Sequence, residues 1–263
     1  MKFTKMHGLG NDYIYIYDQV PENVAELARK WSNRRFGVGS DGLIYIAPSK
    51  IADFSMRIFN ADGSEAKMCG NGIRCVGKYL YDKGFVDKTH LKIETLSGIK
   101  TLDLHIVAGK TRSVTVDMGE ASVSDELALD VDGAKVSCVP VDVGNPHVVL
   151  FVNDAENAPL VTLGPKIERH TRFPDGVNVE FVQALNETTI RMRVWERGSG
   201  VTLACGTGAC ASVAAAIAKG FCRRDAEVTV VLDGGPLRVK IDRDNKITMV
   251  GPAEFVFEGE ISE

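Results

Sequence analysis

The sequence predicts an α+β fold built from two similar halves facing each other, and three observations predict it. The first is an internal repeat. Residues 59–75, F-N-A-D-G-S-E-A-K-M-C-G-N-G-I-R-C, are echoed by residues 195–210, W-E-R-G-S-G-V-T-L-A-C-G-T-G-A-C. Aligning Cys69 with Cys205, an offset of 136, places Gly70 on Gly206, Gly72 on Gly208 and Lys83-Gly84 on Lys219-Gly220. Two further landmarks recur in the same order, Gly10-Asn11 with Gly144-Asn145 and Arg35-Phe36 with Arg172-Phe173. One long repeat of this kind reads as a duplicated domain rather than a solenoid. The second observation is length, since 263 residues accommodate two domains. The third is periodicity: short alternating runs are many and helical runs few, which separates α+β from the other classes.

Taken in order, residues 2–7 and 13–17 read as strands around G-L-G-N-D, whose Gly8, Gly10 and Asn11 mark a tight turn. Pro21 is placed as a first helical residue, and Val24, Leu27, Ala28 and Trp31 follow with helical spacing. The glycine-rich loop R-R-F-G-V-G-S-D-G lacks the lysine and Ser/Thr of a phosphate loop and reads as a turn before strand 43–47. Strand 54–59 delivers Asn60 and the Cys69 loop, and the helix beyond carries Ile73, Val76 and Leu80 on one face. Strands follow at 91–94, 99–107 and 113–117, with His105 a solvated strand residue. The acidic, irregular stretch 118–133 reads as the linker. The halves are therefore 1–118 and 119–263, the last strand being free to pack on the first domain.

In the second half, strands 135–142 and 148–151 flank V-G-N-P-H, the counterpart of the Asn11 turn, with Asn145 and His147 as its polar candidates. A short helix at 163–170 leads to strands 179–182 and 188–195. The helix after Cys205 is apolar nearly all round, as a buried helix is. Strands at 228–232, 237–241, 246–250 and 254–257 complete the chain.

Each half thus presents a cysteine, Gly-x-Gly and a helix. Asn71 and Thr207 stand where an N-cap is expected, and a glycine after lysine closes each helix. Cys69 and Cys205 accordingly lie at helix N-termini, which favour an anion, whether a thiolate or a bound carboxylate. A thiol titrates near ~8.5, and a helix end contributes roughly 0.3–1 kcal/mol, up to ~2 when partly buried, so helix ends alone bring a thiolate near neutrality. Two thiols related by pseudo-symmetry suit proton exchange on opposite faces of one carbon, the geometry of stereoinversion. Cys75, Cys138, Cys210 and Cys222 read as ordinary core thiols.

Composition narrows the partner. The net charge is −4, from 35 acidic and 31 basic residues without a long single-sign run, which points away from nucleic acid and membrane surfaces and toward a small polar ligand. No apolar run approaches a membrane span, and M-K-F-T-K-M-H-G lacks the core of a signal peptide, so the chain reads as cytoplasmic. Six scattered cysteines do not make a disulfide scaffold, and C-x5-C and C-x4-C are not zinc spacings, so no metal is expected.

Together, H-G-L-G-N-D-Y, F-N-A-D-G-S-E-A-K-M-C-G-N-G-I-R-C, G-N-P-H, G-V-N-V and W-E-R-G-S-G-V-T-L-A-C-G-T-G-A-C resemble the diaminopimelate epimerase family along the whole chain. The resemblance implies two pseudo-symmetric domains, each a mostly antiparallel sheet around a central helix, with the active site in the cleft between them. It also implies a homodimer and interconversion of LL- and meso-2,6-diaminopimelate, without cofactor, in lysine and peptidoglycan precursor synthesis. By motif, Cys205 would accept the proton in the LL-to-meso direction and Cys69 donate one. Gly70, Asn71, Gly206 and Thr207 would hold the reacting carboxylate. Asn11, Asn60, Asn145, Asn178, Glu196 and Arg197 match the family's substrate contacts, and His147 and Glu196 the groups that tune the thiols. The chain departs at Gly42, where some members place a glutamine that touches substrate.

Two other readings compete. A proline or hydroxyproline racemase also uses paired cysteines, but its substrate has no distal charged centre for Glu196 and Arg197 to meet. A non-catalytic thiol protein, redox-switched or metal-binding, is separated by metal content and thiol titration.

Overall fold

The computed structural model describes residues 1–261, which form four helices and nineteen strands in two compact units. The first unit is Met1–Val116 together with the C-terminal segment from Gly251; the second is Asp117–Val250.

The first unit contains β1 (Lys2–Gly8), β2 (Asn11–Tyr17), α1 (Val24–Ser32), β3 (Gly42–Pro48), β4 (Phe54–Asn60), β5 (Glu65–Ala66), α2 (Gly70–Asp82), β6 (His90–Thr95) and β7 (Gly98–Val107). The next strand, β8 (Lys110–Glu120), carries the chain across the boundary. Within the second unit follow β9 (Ser122–Val123), β10 (Leu127–Val131), β11 (Ala134–Asp142), β12 (Pro146–Phe151), α3 (Leu160–Glu168), β13 (Asn178–Asn186) and β14 (Thr189–Glu196). Then come β15 (Gly200–Thr202), α4 (Gly206–Ala218), β16 (Glu227–Leu232), β17 (Gly235–Ile241) and β18 (Lys246–Gly251), and β19 (Glu254–Glu260) returns to the first unit.

The pairing order repeats. β1 and β2 pair antiparallel, β2 and β3 parallel through the α1 crossover, β3 and β4 antiparallel, and β4 and β6 parallel through α2. In the second unit β11 and β12 pair antiparallel, β12 and β13 parallel through α3, β13 and β14 antiparallel, and β14 and β16 parallel through α4. The sequence repeat is therefore a topological repeat. Strand β19 adds to β1 antiparallel.

Three readings change. Residues 118–133 are not an irregular linker: β8 runs through Glu120, and Leu127, Leu129 and Val131 alternate along β10, which pairs with β11. Pro21 stands outside α1, which starts at Val24 after Asn23. Helix α2 buries more than the face that carries Ile73, Val76 and Leu80, because every residue from Gly70 to Leu80 is buried. Burial of its charges is tolerated because each has partners. Arg74 donates to Gly70 O, Asn71 Oδ1 and Pro252 O at 3.0, 2.9 and 3.1 Å, and Lys78 reaches Thr111 O at 2.6 Å and Asp82 at 3.0 Å.

Both core helices end alike. Gly84 and Gly220 adopt φ of +78° and +75°, and the next residue's N–H bonds back, Phe85 to Leu80 O and Phe221 to Ala216 O, which closes the last turn.

Candidate active site

The cap of each core helix is the cysteine itself. Cys69 and Cys205 have extended backbones, and each sulfur accepts the N–H three residues on, from Gly72 and Gly208, at 3.3 Å. Asn71 and Thr207, expected as caps, are second helical residues instead. The sulfur takes the place that a Ser or Asp oxygen usually fills.

The second glycine of each Gly-x-Gly is fixed by packing. A Cβ on Gly72 would lie 2.7 Å from Ile44 Cδ1, and one on Gly208 would lie 2.8 Å from Glu180 Oε1 and 3.2 Å from Cys205 Sγ.

Around Cys69, the turn between β1 and β2 supplies Asn11. Its Oδ1 accepts from Cys69 Sγ at 3.3 Å and from Asn71 Nδ2 at 3.4 Å, while its Nδ2 donates to Asp41 Oδ2 at 2.8 Å. Asp41 also accepts the Asp12 N–H at 3.0 Å, and Arg34 bridges Asp12 and Asp41 at 2.6 and 2.9 Å. Burial, with the Asp12 charge beside it, raises the Asp41 carboxyl. Burial acts the same way on Asp12, but hydrogen bonds from Arg34 and Lys5 outweigh it and hold that carboxyl low. Asn60, at the end of β4, turns its amide to Ser64 Oγ at 3.1 Å and so serves the tight turn.

Around Cys205 the surroundings differ. Thr207 Oγ1 lies 3.5 Å from Cys205 Sγ and 3.4 Å from Asn145 Nδ2. Asn145 Oδ1 meets His147 Nε2 at 3.1 Å, and His147 Nδ1 meets Glu180 Oε1 at 2.6 Å. Glu196, at the end of β14, accepts from Thr202 Oγ1, and its charge acts on the Cys205 thiol. Burial raises the Glu196 carboxyl.

Burial also pushes the Cys205 thiol well above its ordinary value, the Glu196 and Glu180 charges adding to the rise, while Thr207 and the Gly208 N–H oppose it. Helix-end stabilisation alone therefore does not bring this thiol to neutrality; desolvation outweighs it.

Beyond Glu196, the guanidinium of the exposed Arg197 donates to Asp175 O at 2.9 Å. Asn178 is engaged on both sides by backbone, its Nδ2 donating to Pro146 O at 3.0 Å and its Oδ1 accepting the Arg197 N–H at 3.0 Å. Gly70 and Gly206 open the two core helices, their N–H groups directed at the N-terminal end where an anion is favoured. Gly42, by contrast, has no room for a side chain: a Cβ there would overlap Phe59 O and approach Tyr13 Cε1 to 2.9 Å. A glutamine at this position is thus excluded here by backbone packing.

Two carboxylates escaped the sequence reading. Asp41 sat in a loop read as a plain turn. Glu180 lies in β13, where residues 178–182 are all buried, and a lone carboxylate in such a run was its signal. Among the described residues no three His, Cys, Asp or Glu converge as a metal site, and no helix is long and apolar enough to cross a membrane.

The profile of the family described as diaminopimelate epimerase matches residues 3–124 and 139–256. The chain belongs to the diaminopimelate epimerase family. It is similar to the diaminopimelate epimerase of Acetivibrio thermocellus, with 49% identity over 99% of this chain and 98% of the relative. Likewise, it is 51% identical to that of Methanococcus maripaludis over 99% of both chains. Such membership makes it an isomerase of the epimerase class. Among solved structures, a probable proline racemase from Agrobacterium radiobacter superposes with a TM-score of 0.78 over 99% of this chain and 92% of its own, at 18% identity. That likeness is one of fold alone, while the family membership rests on half the sequence being shared.

Proposed function

We propose that this family member interconverts LL- and meso-2,6-diaminopimelate by a cofactor-independent exchange between two thiols, acting in the cytoplasm on the route to lysine and peptidoglycan precursors. Supporting the mechanism above all is the duplicated placement of Cys69 and Cys205, each the sulfur cap of a buried helix in a unit of repeated topology. In the LL-to-meso direction, Cys205 removes the α-proton and Cys69 supplies another from the opposite face of the carbon. Glu196, whose charge acts on the Cys205 thiol, is the proposed influence on its proton.

Removing an α-proton drives charge onto the substrate carboxylate. The first-turn N–H groups of Gly70, Asn71, Gly206 and Thr207 are its proposed acceptors, and preorganised donors of this kind are worth ~2.7–4 kcal/mol each in other enzymes. Asn11 and Asn145 stand beside the two cysteine loops as amide partners for substrate, with Asn60 a further one. Arg197 and Glu196 suit the carboxylate and ammonium of the distal centre, with Asn178 holding the Arg197 backbone. His147, with Glu196, is the proposed tuning group for the thiols. The working form is proposed to be a homodimer.

Incubation with LL-diaminopimelate and chiral analysis of the product tests the assignment directly. Cys69→Ala and Cys205→Ala should each lower the rate by several orders of magnitude, and Cys75→Ala or Cys210→Ala should leave most of it. Full activity in either of the first two variants would sink the two-thiol mechanism. Turnover of proline in place of diaminopimelate would overturn the substrate.

A further inference from the structure

Glu180 is fully buried, and Glu180 Oε2 is a buried oxygen with no hydrogen-bond partner among the described residues. A carboxylate left this way is costly unless a charge answers it. Only its Oε1 is engaged, by Nδ1 of His147, itself 1% exposed, at 2.6 Å. The pairing is set by the sheet: β12 and β13 run parallel with His147 opposite Asn178, and Glu180, two residues on, projects from the same face.

From His147 the contacts continue in one line. Nε2 lies 3.1 Å from Asn145 Oδ1, Asn145 Nδ2 lies 3.4 Å from Thr207 Oγ1, and Thr207 Oγ1 lies 3.5 Å from Cys205 Sγ. Each link has one donor and one acceptor, so the line has a direction. With protons on both ring nitrogens, His147 donates to Glu180 and to Asn145 Oδ1. Asn145 then presents its Nδ2 to Thr207, whose oxygen accepts and whose hydrogen is left for the sulfur. With a proton on Nδ1 alone, Nε2 becomes an acceptor, the Asn145 amide turns over, and Thr207 accepts from the Cys205 S–H. The first direction favours thiolate, the second thiol.

We propose that Glu180 is a positioning residue for the reaction, holding His147 with both ring nitrogens protonated and so fixing the direction of a hydrogen-bond chain that ends by donating to the Cys205 sulfur. This rests on the reading of Cys205 as a catalytic base. The charged groups around the sulfur are Glu180 from β13, Glu196 from β14 and His147 from β12, and the two carboxylates repel a thiolate directly. Glu180 therefore acts on Cys205 in two opposed ways, through space against the thiolate and through the chain for it. The chain prevails in this proposal, because it converts the last link into a hydrogen bond to a charged group, the stronger kind.

The opposed signs give the test. Full-length protein carrying 15N-histidine and 13Cβ-cysteine is titrated by NMR, with the His147 and Cys205 signals assigned by their loss in His147→Gln and Cys205→Ser. At neutral pH the native protein should show His147 protonated on both nitrogens, and Glu180→Gln should show one. In Glu180→Gln the Cys205 midpoint should rise by roughly one to two pH units, a fall of about ten- to a hundred-fold in thiolate at neutral pH. Glu180→Asp should restore the His147 signals. A midpoint that falls would mean that Glu180 acts only as a nearby negative charge, and His147 keeping both protons in Glu180→Gln would be equally fatal.

Should Glu180→Gln fail to fold, Thr207→Val tests the last link alone, raising the Cys205 midpoint while Thr207→Ser leaves it in place; no rise in Thr207→Val overturns the chain. None of these readouts uses epimerase activity. An active Cys205→Ser variant would defeat the catalytic reading without touching the titrations, whereas an inactive one beside an unshifted midpoint would defeat the chain alone.

Discussion

Asp41 holds Asn11 by its amide nitrogen, Nδ2 to Oδ2 at 2.8 Å, and thereby turns the Asn11 carbonyl oxygen to the Cys69 sulfur at 3.3 Å. The partner thus decides which end of the amide the thiol meets. Beside Cys205 the matching Asn145 is held by its oxygen instead, at 3.1 Å from His147 Nε2. An acceptor faces Cys69, while a donor leads toward Cys205.

Asp41→Ala should therefore release Asn11 to rotate. A hydrogen bond to a charged group is worth about 1.5–3 kcal/mol, so kcat/KM should fall roughly ten- to a hundred-fold. Combined with Asn11→Ala, the second substitution should add little, since both remove the same oriented oxygen. Fully additive losses in a double-mutant cycle would show that Asp41 acts elsewhere.

Gly42→Gln introduces the substrate-contacting side chain that the family resemblance implied, and the expected outcome is damage. A Cβ there overlaps Phe59 O and comes within 2.9 Å of Tyr13 Cε1, so β3 must move away from β4. Overpacking of this kind typically costs about 1–3 kcal/mol, more when backbone must shift. Urea denaturation should show a lowered midpoint. A variant as stable as the native chain with a lower KM would refute the packing argument.

These two residues also show where sequence reading stops. The repeated cysteine loops, both core helices and their glycine ends were legible, because each carries a local signature that the duplication prints twice. Partner choice was not. Asn71 and Thr207 have oxygens and looked like caps, yet the cap is sulfur, since the extended backbone falls one residue before the glycine. The stretch 118–133 looked irregular because acidic residues surround the alternating Leu127, Leu129 and Val131 of β10. In helix α2 the sequence marked the face of Ile73, Val76 and Leu80, whereas Arg74 and Lys78 are buried as well, each with partners. Residues close in sequence announced themselves; Asp41, Glu180 and the pairs they make needed the fold.

Alkaline pH should destabilise the protein through its buried thiols. Burial raises the Cys75 thiol to about 11, above the range of a free thiol, so the folded state retains a proton that the unfolded chain has released. Stability from this group is complete below the unfolded value and is lost as pH rises from about 9 to about 11. The full loss is on the order of 2–3 kcal/mol, at ~1.4 kcal/mol per unit. Melting temperature should fall over that window, and Cys75→Ala, which has nothing to titrate, should fall less steeply. Equal slopes in the two proteins would remove Cys75 as the source.

The origin of the new α-hydrogen distinguishes two thiols from one. If Cys205 removes the proton from LL substrate and Cys69 delivers another, the delivered hydrogen exchanged with solvent before the substrate arrived. In deuterated water, the first meso product should therefore carry deuterium at the inverted carbon, while unreacted LL substrate keeps protium. A single base serving both faces would hand back the proton that it had just taken, and early product would retain protium. Because a thiol exchanges with water far faster than turnover between substrates, the label on Cys69 is set at the start of each cycle. Mass spectrometry at low conversion reads the difference. Substantial protium in the first product would refute the paired-thiol mechanism, yet it would leave the family membership and the epimerase class untouched.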